Sequence, residues 1–518
     1  MDAFVTTALV GTAQQPKLEI TTGTEVDTLT AQLSVAEIER KLLLSAGAWA
    51  LYRQAGKVSE TLPTIPEPAA PESLPTCTPR MTALLESMFK GEHNELLPEL
   101  LERMQQTGLR LPHELLTSAL DTQNKELRKA IFAVLGERGR WLGQFNPAWK
   151  WVANYLPEAE EAQLAQAESI WQEGTPGQRQ SILQLVRTSD PAKAREWLAT
   201  AWQQEKAEAR TDLLNTFSIG LSADDEEFLE NALDDRAASV RASAASLLAL
   251  LTNSAFALRM QKRADAMLTY SAKKVTVTVP TRLEKDWLRD GITTKSTPYG
   301  VGEYTWLLMQ VLSLVPPAHW VQHFGISADK LLAAVGADKD WRDTLANSFA
   351  KAASLHQDTE WCIRLWDWHN GKKDVLEDIQ SELLTYMPQQ EAEQRVRNMF
   401  SKSRSPRRKG WAEAIAVLPR PWSREFSEAY LQQLHSYVVE LDFKKNNSPY
   451  YDSWYQSIAT AKLALHPESF SAALAGWSIP EEDSDTRSNW QRASWLEELN
   501  KFTKAIRIRQ RLIKEIVS

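Results

Sequence analysis

His319 and His323, in His-Trp-Val-Gln-His, stand four positions apart in this 518-residue chain. On a helix that spacing puts both imidazoles on one side, as a zinc site needs. The general-base glutamate of H-E-x-x-H is replaced by Trp320, and Pro316-Pro317 crowd the start of the segment, so the pair reads as a surface or capping pair. No metal ligand is assigned. The acidic runs Asp224 to Glu227 and Glu481 to Asp485 suit solvated helix starts. A calcium-loop reading of Asp483-Ser-Asp485 fails at Arg487, where an oxygen ligand belongs. Gly300-Val-Gly302 has Thr305 in place of the third glycine of a dinucleotide loop, and no G-x-x-x-x-G-K-[ST] occurs. The nucleophile elbow G-x-S-x-G is also missing. The two cysteines, Cys77 and Cys362, carry no catalytic signature and exclude a disulfide framework or a multi-cysteine metal site. No catalytic residue, cofactor or metal is therefore expected, and the chain reads as a non-enzyme.

Charge offers a different chemistry. Lys402, Arg404, Arg407, Arg408 and Lys409 crowd one short segment, and Lys501, Lys504, Arg507, Arg509, Arg511 and Lys514 recur along the final helical pattern. Of these, Lys402, Arg404, Arg407, Arg408, Lys409, Arg507 and Arg511 are the candidate phosphate or partner contacts. The whole chain has 59 basic and 67 acidic side chains, a formal charge of −8, so no global field draws it to nucleic acid. Twenty tryptophans are an unusual load, and packing is the first reading of them: such rings wedge between stacked helices. The second reading is an aromatic groove for a peptide or for unstacked bases.

The elements that must carry these residues are nearly all helices. Residues 1–60 hold a helix signature in which Ser34 and Glu37 have capping-box spacing. Residues 61–80 carry Pro63, Pro66, Pro68, Pro71, Pro75 and Pro79, the composition of a semi-rigid linker. From 81 to 270 helix follows helix, and Arg179, Arg210 and Arg241 fall 31 residues apart, each opening a similar phrase. Apolar stripes accompany them: Ile182, Leu183 and Val186; Leu213, Leu214 and Phe217; Val240, Ala244, Leu247, Leu248 and Leu251. A unit of that length holds two short helices that bury their apolar faces only by stacking on neighbours. The three arginines are expected to be structural, pairing with acids or carbonyls of the adjacent repeat. Residues 271–305 interrupt the pattern: Lys274 to Pro280 alternates as a strand does, and Asp290-Gly291 is turn chemistry. Residues 306–518 return to helices. The fold expected is all-α, a HEAT-like α-solenoid or helical-repeat array with one short β/loop excursion.

Several phrases match a known pattern: Trp171-Gln-Glu-Gly174, Arg187-Thr-Ser-Asp-Pro191, Asp225 to Asp235, Val240-Arg-Ala-Ser-Ala-Ala, and Ala8-Leu-Val-Gly-Thr12. Together they resemble an uncharacterised bacterial family of large helical proteins with HEAT-like repeats. Ala13-Gln14 stand where relatives tend to carry an acid and an arginine. Such families tend to be encoded beside a MoxR-like AAA+ ATPase, a von Willebrand A-domain protein and a SWIM zinc-finger protein, which implies a shared assembly. The resemblance brings no catalytic residues.

The expectation is a scaffold or adaptor that binds a protein partner, with a nucleic-acid binder using 402–409 and 501–514 as the second reading. Sparse cysteine, Asp2 in place of a basic leader and no apolar run of about 18 residues point to the cytoplasm and away from a membrane.

Overall fold

The computed structural model describes residues 3–14, 20–55, 66–155, 160–279, 282–295, 297–298, 300–369, 380–402, 411–443, 448–480 and 486–517. The chain divides into a small unit, Met1–Ala69, and a large one, Ala70–Ser518. In both, the described regular elements are helices apart from one two-stranded sheet. This is an all-α helical-repeat fold.

The small unit has too little chain to cover its own apolar side chains. Leu9, Leu29, Leu43 and Leu51 stay exposed, while Val26 and Leu42 are buried. Its main helix is Ile38–Ala55, which starts later than the Ser34 cap predicts; the first turn closes where Lys41 N–H donates to the Glu37 carbonyl at 3.1 Å.

In the large unit the 31-residue period resolves into three helix pairs: Pro176–Ser189 with Pro191–Ala201, Ala207–Asn215 with Glu226–Ala232, and Ala238–Leu250 with Ala255–Asp265. Their starts follow the sequence. Thr175 and Gln178 form a capping box, Asp190 accepts from Lys193 N–H at 3.0 Å, and Ser254 accepts from Ala257 N–H at 3.0 Å. The first helices of the pairs stack side by side, and the stripes from Ile182 to Leu248 form one buried face.

The excursion opens with strands β1 (Leu268–Ser271) and β2 (Lys274–Val277), antiparallel and joined by Ala272-Lys273. Both turn residues have positive φ, 49° and 63°, as a two-residue hairpin turn requires. Val275 is buried, and β2 packs on helix Ala328–Ala337. Further along, helices stack through Arg342–Leu355, Trp411–Ala416 and Ser453–Ala464 to the terminal helix Thr486–Val517.

That terminal helix closes the array. Trp495, Leu499, Phe502 and Ile506 belong to the core that begins at Ala167, whereas Ala505, Ile508 and Leu512 belong to a second core built by residues 77–152. Arg509 donates to Glu99 of helix Leu97–Gln106 at 2.7 Å, and Lys462 pairs with Glu95 at 3.0 Å. The last helix therefore packs on the first helices of the same unit. The proline-rich stretch takes part as well: Arg110 N–H donates to the Pro75 carbonyl, and Glu72 caps helix Gly136–Leu142 by accepting from Glu137 N–H at 2.8 Å and Arg138 N–H at 3.2 Å. The first part of that stretch, 61–65, lies outside the described residues.

Candidate functional site

Aromatic side chains around the end of the array form the surface that is hardest to explain by packing alone. Pro449 starts the short 3₁₀ turn Pro449–Tyr451, and Asp452 caps the following helix, Ser453–Ala464, accepting from Trp454 N–H at 2.8 Å and Tyr455 N–H at 3.2 Å. This turn lifts Tyr450 and Tyr451 out of the helix, leaving them 59% and 78% exposed. Trp490, on the first turns of Thr486–Val517, is 48% exposed and stands 6.2 Å from Tyr450, centroid to centroid.

The exposed rings are the outer end of an aromatic chain that starts in the core. Trp411 lies 4.6 Å from Trp454, Trp454 packs 5.8 Å from Tyr437, and Tyr437 is 6.0 Å from Trp495. Trp495 meets Tyr455 edge-on at 5.2 Å, and Tyr455 meets Tyr450 at 5.9 Å. Tyr437 donates its hydroxyl hydrogen bond to Asp452. Burial pushes the Asp452 carboxyl above its ordinary value, and burial with the adjacent carboxylate raises the Tyr437 phenol. Tyr450 thus rests on the chain of rings and carries Trp490 beside it, an arrangement that offers large contact area at small entropic cost.

The repeated arginines lie elsewhere. Arg179 pairs with Glu205 at 2.6 Å and covers Trp171 at 4.4 Å. Arg210 pairs with Asp235 at 2.8 Å and donates to the Glu205 carbonyl, and Arg241 donates to the Asp235 carbonyl at 2.8 Å. Arg179 and Arg210 each tie the start of one repeat helix to the turn that opens the next.

Two further charged centres had weaker sequence signals. Arg187 and Asp225 are wholly buried and joined at 2.8 Å; Arg187 also donates to the carbonyls of Pro191, Phe217, Ile219 and Gly220, and Arg195 adds a second cation to Asp225 at 2.7 Å. Arg187 stood in the Arg-Thr-Ser-Asp-Pro phrase and Asp225 in the acidic run Asp224 to Glu227, with nothing to mark the two as partners. Asp290, 1% exposed, accepts from Arg259 at 2.7 Å and from Arg263 at 2.6 Å. The Asp290-Gly291 turn of the excursion is therefore a charged pin between helices.

The basic segments are not brought together by any described contact. Residues 403–410 lie outside the described residues, as does the side chain of Lys402, so Arg404, Arg407, Arg408 and Lys409 receive no position. Arg507 and Arg511 are exposed and share one stripe of the terminal helix with Lys504 and Lys514. Arg509 departs from the sequence reading of a basic surface: it is 2% exposed and turned toward Glu99. His319 and His323 do lie on one face of helix Pro317–Phe324, and Asp265 meets them there.

Neither thiol is poised as a nucleophile. Cys362 is fully buried, and burial followed by the charges of Asp358 and Glu382 pushes it up to about 12. Burial also raises Cys77. Among the described residues no single helix is long and apolar enough to cross a membrane.

With this geometry in hand, the chain can be placed among known proteins. This all-α chain matches a family pattern over almost its full length: the family of unknown function DUF5691 covers residues 3–516, and the chain belongs to it. No curated protein and no solved structure is significantly similar to it.

Proposed function

We propose that this protein is a non-catalytic scaffold, built of HEAT-like repeats, that holds a protein partner in the cytoplasm. The observation that carries the reading is the exposed group Tyr450, Tyr451 and Trp490, in which Tyr450 packs on Tyr455 and, through it, on Trp495. Exposed aromatic rings gathered in one patch are the composition of a binding hot spot, because a partner that covers them removes much apolar area from water without first having to order flexible side chains. The sequence resemblance names the partner class, a MoxR-like AAA+ ATPase or its A-domain companion. The test is copurification of the full-length chain with the ATPase or the A-domain protein at near-physiological salt after nuclease treatment. Recovery that falls at least tenfold in the Tyr450→Ala/Tyr451→Ala/Trp490→Ala variant supports the reading, and undiminished recovery refutes the role of this surface.

A second reading rests on the exposed stripe Lys504, Arg507, Arg511 and Lys514. As a phosphate-binding ridge it would give binding to single- or double-stranded nucleic acid that weakens steeply with salt, and four phosphate contacts imply a log–log slope of roughly −3 to −4. A flat salt dependence eliminates it.

A further inference from the structure

Asp265 ends helix Ala255–Asp265, and its carboxylate meets both histidines of Pro317–Phe324, the nearer in sequence, His319, across 54 residues. Its Oδ1 lies 2.7 Å from His319 Nε2 and 3.7 Å from His323 Nδ1, and the three donor atoms all fall within 4.8 Å of one another. The imidazoles are stacked, 5.4 Å apart and inclined by 17°.

One histidine is enough to satisfy this carboxylate oxygen, as the 2.7 Å hydrogen bond from His319 shows. The second approaches the same atom at 3.7 Å, beyond a hydrogen bond, and so has no proton to share there. A cation taking the place of that single proton would engage all three atoms. Four ligands at about 2.0–2.2 Å in a tetrahedron stand roughly 3.4 Å from one another. The observed 2.7 Å and 3.7 Å straddle that spacing and the remaining separation is within 4.8 Å, so the two imidazoles reach one ion by rotating out of their stacked arrangement.

The surroundings favour such a site. Its floor is rigid: Trp320 is fully buried and lies edge-on to His319 at 5.2 Å, while Phe324 packs on His323 at 5.1 Å and on Tyr270 of β1 at 5.8 Å. Its mouth is open, with the side chains of His319, Asp265 and His323 16%, 30% and 37% exposed. Asp265 sits at a helix C-terminus, where the backbone carbonyls add negative potential. The cation nearest in sequence with a described partner, Arg263, is engaged by Asp286 and Asp290.

We infer that Asp265, His319 and His323 form a binding site for a borderline divalent transition metal of the zinc class, with an open coordination position. Two imidazoles and one carboxylate suit Zn²⁺, Co²⁺ or Ni²⁺, whereas Ca²⁺ and Mg²⁺ prefer oxygen alone. The site clamps the end of the third repeat pair to the helix beyond the hairpin, and its open position accepts water or another small ligand.

The test is calorimetric titration of ZnCl₂ into tag-free, chelator-stripped, full-length protein, alongside thermal melting with and without zinc. One Zn²⁺ per chain is expected, with a melting temperature that rises on binding. His323→Gln, the most exposed ligand, and Asp265→Asn, which keeps the shape of the acceptor, are each expected to weaken binding roughly 100-fold or more while leaving helicity and the metal-free melting temperature close to the parent. Absence of zinc binding to the parent, or binding in either variant as tight as in the parent, overturns the assignment.

Discussion

From Pro176 to Asp290 the helix pairs are pinned at their turns by charge, while from Gln389 to Phe502 the same kind of stacking is filled by rings. In the first stretch Arg187, Arg210, Arg259 and Arg263 reach from helices to Asp225, Asp235 and Asp290. In the second, Phe400, Trp411, Trp422, Phe426, Tyr430 and Trp454 pack edge-on or tilted with centroid separations of 4.6–6.5 Å. The charged stretch fixes which turn meets which helix, because a guanidinium with five directed donors tolerates little displacement. The aromatic stretch gains more from area and less from direction. The difference also places the exposed surface. An aromatic core can continue outward as Tyr455, Tyr450 and Trp490, whereas a buried ion pair must end where its partners end.

The largest effect expected is in the charged stretch. Asp225→Ala strands Arg187 in a fully buried site and should cost about 3–5 kcal/mol in chemical denaturation, whereas the double change Arg187→Met/Asp225→Leu should recover most of that loss. A double variant as unstable as the single one would mean that direction, not desolvation, dominates there. In the aromatic stretch Trp422→Ala, which removes a fully buried ring lying 5.1 Å from Phe426 and 5.3 Å from Tyr430, is expected to cost about 3–5 kcal/mol. No second change of charge should rescue it.

Acid should separate the two stretches. For Asp225, burial opposes ionisation, but hydrogen bonds from Arg187 and Arg195 outweigh it and hold the carboxyl below 3.8, so its contribution is complete above that value and is lost as pH falls through the lowered one. For Asp452, burial raises the carboxyl above 3.8, so its contribution is complete below that value and is lost as pH rises through the raised one. Hydrogen exchange, corrected for the intrinsic rate at each pH, should show the Pro176–Ser189 region losing protection in acid relative to Ser453–Ala464. Equal losses would erase the distinction. Asp452→Asn sharpens the same point: the amide keeps the cap to Trp454 and Tyr455 without a buried charge, so melting near neutral pH should be unchanged or slightly higher.

The smallest effect lies at the hairpin near the end of the charged stretch. Ala272 and Lys273 occupy positive φ without being glycine or asparagine. Ala272→Asn/Lys273→Gly is expected to raise stability by about 0.5–1 kcal/mol, read as a higher denaturation midpoint, since these residues relieve the left-handed turn.

The helical class, the apolar stripes of the three helix pairs and the strand at Lys274 were legible in the sequence because each depends on neighbours within a few residues: a period near 3.6 in one case, β-branched alternation in the other. The same local reading missed the start of Ile38–Ala55, where Ser34 and Glu37 have cap spacing but the helix begins beyond them. The aromatic surface was half legible: twenty tryptophans raised the prospect of an exposed groove, yet nothing in their spacing distinguishes buried Trp454 from exposed Trp490.

What the sequence determined by itself is the set of amphipathic helices and the period at which they repeat, since these follow from local backbone and side-chain preferences. What only the tertiary structure decided is which distant groups meet: Arg509 with Glu99 across 410 residues, Asp265 with His319 across 54, and Arg187 with Asp225 across 38. An arginine or a carboxylate carries no mark of its partner, because burial and pairing are set by how the helices stack and by the terminal helix closing on the first ones.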